Sequence, residues 1–226
     1  ARVHPTTSLE EAAGNADFVI EAVIERLEDK KQGFARLDQA APPHAILATN
    51  SSYIGNSQLA AVTSRPDQVV NMHFFFPPLV MRLVEVVKGE ATSEETLEIT
   101  AGLARRMGRE PVVLRKELPG FLANRILRAI QTEAYYLLEN GVASFADIDK
   151  AAELGLNFPL GPFKLSDFSG LDIGYYSRLD RYQQTGNPAD LPPRALKTRV
   201  ERGDLGRKTG KGFYDYSTDP PRPTED

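Results

Sequence analysis

Five short, mostly apolar segments constrain this chain more than any other feature. They are DFVIEAV (17–23), AILATN (45–50), QVVNMHFF (68–75), LVEVVKG (83–89) and PVVLRK (111–116). Each has strand length, and apolar side chains run continuously instead of alternating with polar ones. Such strands are buried on both faces, as in a mostly parallel sheet with helices packed over each side. The sequence between them supplies the helices. SLEEAAGNA (8–16) opens with Ser8 and Glu11 at capping-box spacing. ERLEDKKQGFARLDQA (25–40) carries an apolar stripe at Leu27, Phe34 and Leu37, and SQLAAV (57–62) reads as a short helix. SEETLEITAGLARRMG (93–108) follows Thr92, which has capping-box spacing to Glu95, and ends in Arg105 and Arg106, cations suited to a helix C-terminus.

Beyond residue 117 the pattern becomes helical. LPGFLANRILRAIQTEAYYLLENG (118–141) contains one long helix stopped at Gly141, with Ile126, Ile130, Tyr136 and Leu137 available to a core. Ser144 and Asp147 have capping-box spacing ahead of FADIDKAAELG, the stretch after Pro159 predicts two helices with a turn, and ALKTRVERGD (195–204) predicts a last one. The polar, proline-rich STDPPRPTED reads as a frayed tail. The expectation is therefore an α/β domain over residues 1–117 and an all-helical domain over 118–226, joined at Pro119 and Gly120.

A length of 226 residues gives each domain room for its own core. The formal net charge of −4 provides no basic field for nucleic acid. With no cysteine, thiolate nucleophiles, disulfides and cysteine metal sites are excluded, which fits a cytoplasmic protein. No metal site is expected. No apolar run approaches the roughly 18 residues of a membrane span, so no membrane partner is expected either. ARVHPTTSLEEAAG has neither a hydrophobic signal core nor an initiator methionine, so the sequence reads as processed or partial.

Candidate chemistry gathers at strand ends. His73 lies near the end of the third apolar segment, at the kind of edge where α/β sheets bind ligands. Glu85 sits inside LVEVV, where an acid is costly to bury without a partner. The turn FPPLVMR can return the chain and bring the two together, making His73 a proton acceptor oriented by Glu85. A core-edge histidine and a sheet-edge charge fit the same pattern. ATNSSYIGNS (48–57) places Asn50, Ser51 and Ser52 after a strand, where they suit either ligand binding or a plain turn. Asn124 stands inside the long predicted helix, a poor place for asparagine unless it has a tertiary partner. GRKTGKG (206–212) lacks the phosphate-loop pattern and its strand–helix setting, and no GxGxxG follows a strand.

DFVIEAVIERLEDK, ILATNSS, NMHFFFP, LVEVVKG, LPGFLANR, FPLGPFKLSDFSGLD and GRKTGKGFYDY together resemble the L-3-hydroxyacyl-CoA dehydrogenase family, including 3-hydroxybutyryl-CoA dehydrogenases, from about residue 8 to residue 216. The resemblance implies a partial Rossmann-type NAD-binding domain followed by a helical domain for substrate binding and dimerisation. It implies NAD as cofactor, an acyl-CoA substrate and a homodimer in fatty-acid metabolism. It maps the family's catalytic pair onto His73 and Glu85, substrate contacts onto Ser52 and Asn124, and the cofactor side onto Glu25, Lys30 and Asn50. Two departures stand out. The family commonly has HFFNP where this chain has HFFFP, so Phe76 replaces an amide. The first strand and glycine-rich turn of the family pattern are absent from this sequence. A non-catalytic acyl-CoA-binding or structural dimer, or an inactive truncated dehydrogenase, is the alternative expectation.

Overall fold

The computed structural model describes residues 3–225 and divides the chain into two compact units, one up to Arg125 and one from Ile126 onward. The division falls in the first turn of a helix, beyond the Pro119–Gly120 join expected from the sequence.

The first unit runs α1 (Leu9–Ala13), β1 (Phe18–Glu21), α2 (Leu27–Ala40), β2 (Ile46–Thr49), α3 (Asn56–Ala60), β3 (Val69–Phe74), β4 (Leu83–Val87), α4 (Glu94–Arg106) and β5 (Glu110–Leu114). The sheet order is β1-β2-β3-β4-β5. β1, β2 and β3 are parallel, β4 returns antiparallel to β3, and β5 is parallel to β4. The period of two then sorts side chains between two faces. Leu47 and Val69 pack on one face with Phe34, Leu37 and Leu59 from α2 and α3. Ile46, Ala48, Val70, Met72, Val84 and Val86 pack on the other with Leu97 and Ala101 of α4. His73 and Glu85 follow Met72 and precede Val86, so both point to the first face.

The cap of α4 is not Thr92. Ser93 is the N-cap and accepts from Thr96 N–H. Thr92 instead donates to the Val69 carbonyl and accepts from Gly89 N–H, fastening the chain entering α4 to β3.

α5 (Ala123–Glu139) bridges the division and ends two residues before Gly141. In the second unit follow α6 (Phe145–Gly155), α7 (Pro162–Ser169), α8 (Leu171–Thr185) and α9 (Arg194–Arg202). Ser144 caps α6 by accepting from Asp147 N–H. The buried face of α5 is carried by Ala134 and Tyr135, with Leu137 partly covered, whereas Ile126 and Tyr136 are exposed, contrary to the expected stripe. Tyr135 packs with Phe145, Phe163 and Phe213, an aromatic cluster that α5 alone did not disclose.

The tail also differs from expectation. β6 (Tyr214–Asp215) pairs antiparallel with β7 (Arg222–Pro223), and Thr224 N–H donates to the Phe213 carbonyl. The long-range pairing compensates for the low local propensity of a proline-rich stretch. GRKTGKG has a structural purpose here. Phe213 and Tyr214 donate backbone N–H bonds to buried Asp167, and a Cβ at Gly212 would lie 2.1 Å from Asp167 Oδ1. The glycine admits the carboxylate into the turn.

Candidate active site

The antiparallel return of β4 places Glu85 directly opposite His73 in the register. Both side chains are buried, and His73 Nδ1 lies 2.9 Å from Glu85 Oε2. The other carboxylate oxygen accepts from Leu122 N–H at 3.0 Å and Ala123 N–H at 2.9 Å, at the start of α5. Burial pushes the Glu85 carboxyl up, but bonds from His73, Ala123 and Leu122 outweigh it and hold the group below the ordinary glutamate value. Glu85 is thus an ionised acceptor, so the facing Nδ1 carries the proton. That tautomer leaves the Nε2 lone pair for proton transfer.

Nε2 meets Ser52 Oγ at 3.0 Å, which in this tautomer means that the hydroxyl donates to the ring. The rings of Phe75 and Phe121 lie 4.6 and 5.4 Å from the imidazole and limit water around it. Phe121 itself has φ 44°, and Gly120 before it φ 79°. This tight left-handed turn delivers the α5 N–H groups to Glu85. α5 therefore begins at Ala123, and Asn124 sits in its first turn, where asparagine carries little helix penalty, rather than in the interior the sequence suggested. Asn124 is half-buried, and among the described residues its amide makes no hydrogen bond.

The loop after β2 is clamped by Glu25. Its Oε1 accepts from Ser51 Oγ, from Ser52 N–H at 3.1 Å and from Tyr53 N–H at 3.2 Å. Burial raises this carboxyl, while Ser51, Tyr53 and Lys30 together bring it below its usual range. Lys30 is buried, with its ammonium 2.8 Å from Glu21 Oε1, 3.3 Å from Glu25 Oε2 and 3.2 Å from the Val23 carbonyl. These acceptors match its three donors. Asn50 Oδ1 accepts from Phe74 N–H at 2.8 Å, which leaves its NH₂ to donate outward. Phe76 is 89% exposed and makes no contribution to the buried His73 pair.

His73, Glu85 and Ser52 are thereby brought into one chain of bonds, with Asn50 and Glu25 holding the same loop. Asn124 lies one residue from the Ala123 amide without joining the network. Sequence reasoning overlooked Glu21, Thr49 and Asn71. Glu21 accepts from Thr49 Oγ1 at 2.7 Å and is the partner of Lys30. Its signal was the one that marked Glu85: an acid within an apolar strand. Among the described residues, no group of three or more histidine or carboxylate side chains could hold a metal ion, and no helix is long and apolar enough to cross a membrane.

Comparison with known proteins gives the family. Residues 1–118 match the family described as 3-hydroxyacyl-CoA dehydrogenase, NAD binding domain, and residues 120–216 match its C-terminal domain. The chain is 43% identical over 215 residues to a probable 3-hydroxybutyryl-CoA dehydrogenase of Bacillus subtilis, covering 95% of this chain and 74% of that protein. Among solved structures, a 3-hydroxybutyryl-CoA dehydrogenase from Escherichia coli superposes with a TM-score of 0.87 at 39% identity, covering 95% of this chain and 45% of that one. The (S)-3-hydroxybutyryl-CoA dehydrogenase from Ralstonia eutropha gives 0.84 at 38% identity, covering 94% and 75%.

Proposed function

The chain belongs to the 3-hydroxyacyl-CoA dehydrogenase family, whose members are NAD-dependent dehydrogenases, and from that premise we propose that it interconverts L-3-hydroxyacyl-CoA and 3-ketoacyl-CoA with His73 as the proton-transfer group. The observation that carries the reading is a buried imidazole with Nδ1 on ionised Glu85 and Nε2 on Ser52.

In the oxidation, the substrate hydroxyl lies against His73 Nε2 and Ser52 Oγ. His73 takes the hydroxyl proton as the C3–O bond becomes a carbonyl. Glu85 compensates the positive imidazolium that results, and its two backbone donors keep it from rotating away. In reduction the protonated His73 returns the proton. When the substrate hydroxyl takes the Nε2 lone pair, Ser52 Oγ–H is released from the ring, and it and the free amide of Asn124 are the donors assigned to the substrate oxygens, where they oppose developing negative charge. The groups at the carboxyl ends of β1 and β2 fit the hydride-carrying end of a nicotinamide cofactor, because Asn50 retains an unspent NH₂ after binding Phe74 and Glu25 is partly exposed. Lys30 acts there by fixing Glu25 from beneath. Bound NAD supplies the acceptor for the hydride leaving C3 and, in the reverse direction, its donor. An acyl-CoA substrate, a homodimer and a cytoplasmic location belong to the same reading.

The test mixes the protein with acetoacetyl-CoA and NADH and follows NADH consumption. Turnover should fall by about 10²- to 10⁴-fold in His73→Gln, the range typical of a positioned acid–base group. Equal rates in the two proteins would end the proposal.

A further inference from the structure

Asn71 is fully buried in the middle of β3, two residues before His73 and on the same face of the sheet. Its Nδ2 donates to the Ser51 carbonyl at 3.0 Å and, at a longer 3.4 Å, to the Thr49 carbonyl. Both neighbours are acceptors, so the amide orientation follows from chemistry. Its Oδ1 is buried without a hydrogen-bond partner. An unpaired buried carbonyl is a cost that an apolar residue at this strand position would not carry. What the amide accomplishes there therefore needs an account.

The backbone ladder between β2 and β3 ends at the pair Thr49–Asn71. Past Thr49 the chain turns away, and the main-chain carbonyl of Ser51 loses its place in the ladder. Asn71 supplies the missing donor from a side chain. Asn50 does the converse, accepting Phe74 N–H on its Oδ1. These two asparagines staple the diverging end of β2 to β3 from both sides. Glu25 holds the outer side of the same loop, and Gly120 N–H donates to the Ser52 carbonyl. Of these fixtures, only Asn71 grips the peptide that joins Ser51 to Ser52 from inside the sheet. The residue so held presents its hydroxyl to His73 Nε2.

Resting on the proposed dehydrogenase reading, we infer that Asn71 is a positioning residue: its amide fixes the Ser51–Ser52 peptide and thereby sets Ser52 Oγ against the proton-transfer nitrogen of His73. Misplacement of a reacting group by about 1 Å can lower a rate by 10²-fold. Asn71→Leu keeps the branched outline of the side chain, with bulkier methyl groups, and removes both bonds. Asn71→Ser, smaller and polar, is made beside it in case the apolar variant does not fold. Each is prepared alone and with Ser52→Ala.

With acetoacetyl-CoA and NADH, the Asn71 substitution should lower kcat about tenfold or more in the otherwise unchanged protein, and by at most about twofold where Ser52 is already alanine. A second readout is independent of turnover. The nitrogen chemical shift of His73 Nε2, assigned with His73→Gln, should move in the Asn71 variant in the same direction as in Ser52→Ala, because each weakens the bond from the Ser52 hydroxyl. Equal losses of kcat in both backgrounds, an unmoved Nε2 chemical shift, or failure of both substitutions to give a folded protein would overturn the inference. An unchanged protein that lacks turnover, while its Asn71 and Ser52 variants share the change in Nε2 chemical shift, would count against the dehydrogenase reading and leave the placement of Ser52 by Asn71 supported.

Discussion

Glu85 makes the acid–base group usable, and its effect can be separated from simple burial. Glu85→Gln keeps the size and an acceptor for Leu122 and Ala123, but removes the charge opposite Nδ1. The imidazolium formed on proton transfer is then uncompensated in a buried site, so kcat should fall by about 10²-fold, with a smaller change in KM. The same substitution has a pH signature. The Glu85 carboxyl lies below its ordinary value of 4.5, so its contribution to stability is present above that value and is lost as pH falls through the folded-state value. The stability of the unchanged protein relative to Glu85→Gln, followed by urea unfolding, should be constant near neutrality and shrink below about pH 4.5. A difference that grows on acidification would contradict the ionised assignment. At this scale the sequence was readable where a polar residue interrupts an apolar run, as at His73 and Glu85. Asn71 interrupts the same run and was passed over, because only the register with β2 shows that its amide meets a carbonyl that has left the ladder.

Elements come next, and the decisive one is the connection from β5 into α5. Gly120 bonds the Ser52 carbonyl through its N–H, while the amides two and three residues later hold Glu85. One turn thus carries both neighbours of His73. Its backbone is left-handed at φ 79°, and an added Cβ would lie 3.3 Å from Tyr53 Cε1. Gly120→Ala should cost about 1–2 kcal/mol, the usual penalty for a side chain in that conformation, seen as a lower denaturant midpoint with an unchanged slope. The variant should also lose activity at temperatures where it remains folded, because the Glu85 clamp and the Ser52 loop both shift. Full activity in a destabilised protein would separate the turn from the site. The strands and most helices were legible, since continuous apolar runs and Ser8 and Ser144 caps are local signals. The start of α5 was not. Pro119 and Gly120 signal a break, but where the helix resumes depends on contacts of the turn with Tyr53, Ser52 and Glu85 far away in sequence. The pairing of β7 with β6 was hidden for the same reason.

Over the whole molecule, several carboxylates that lose part of their hydration fall into two groups with opposite responses to acid. In Glu25, Asp38, Glu85, Glu153 and Asp190 burial pushes the carboxyl up, but donated bonds and nearby cations outweigh it and the group sits below its ordinary value. In Asp149 and Asp167 burial wins over the bonds they accept, and the group sits above it. The first group binds protons later in the folded protein than in the unfolded chain, so falling pH favours unfolding. The second binds them earlier, and falling pH through their raised values favours the folded state. The first group is the larger and spans both units, so the melting temperature should decline as pH drops from about 6 to about 4. Asp149 and Asp167 oppose that decline. Asp167 accepts from Phe213 and Tyr214 in the turn at Gly212, so replacing it by asparagine puts an NH₂ against N–H donors and lowers stability at every pH. It also removes one opposing titration. Calorimetry across that range should therefore find Asp167→Asn less stable throughout and more steeply weakened by acid. If the variant lost stability in parallel with the unchanged protein, Asp167 would be titrating no differently folded than unfolded. If the unchanged protein gained stability on acidification, the donated bonds would not be the dominant influence on the first group.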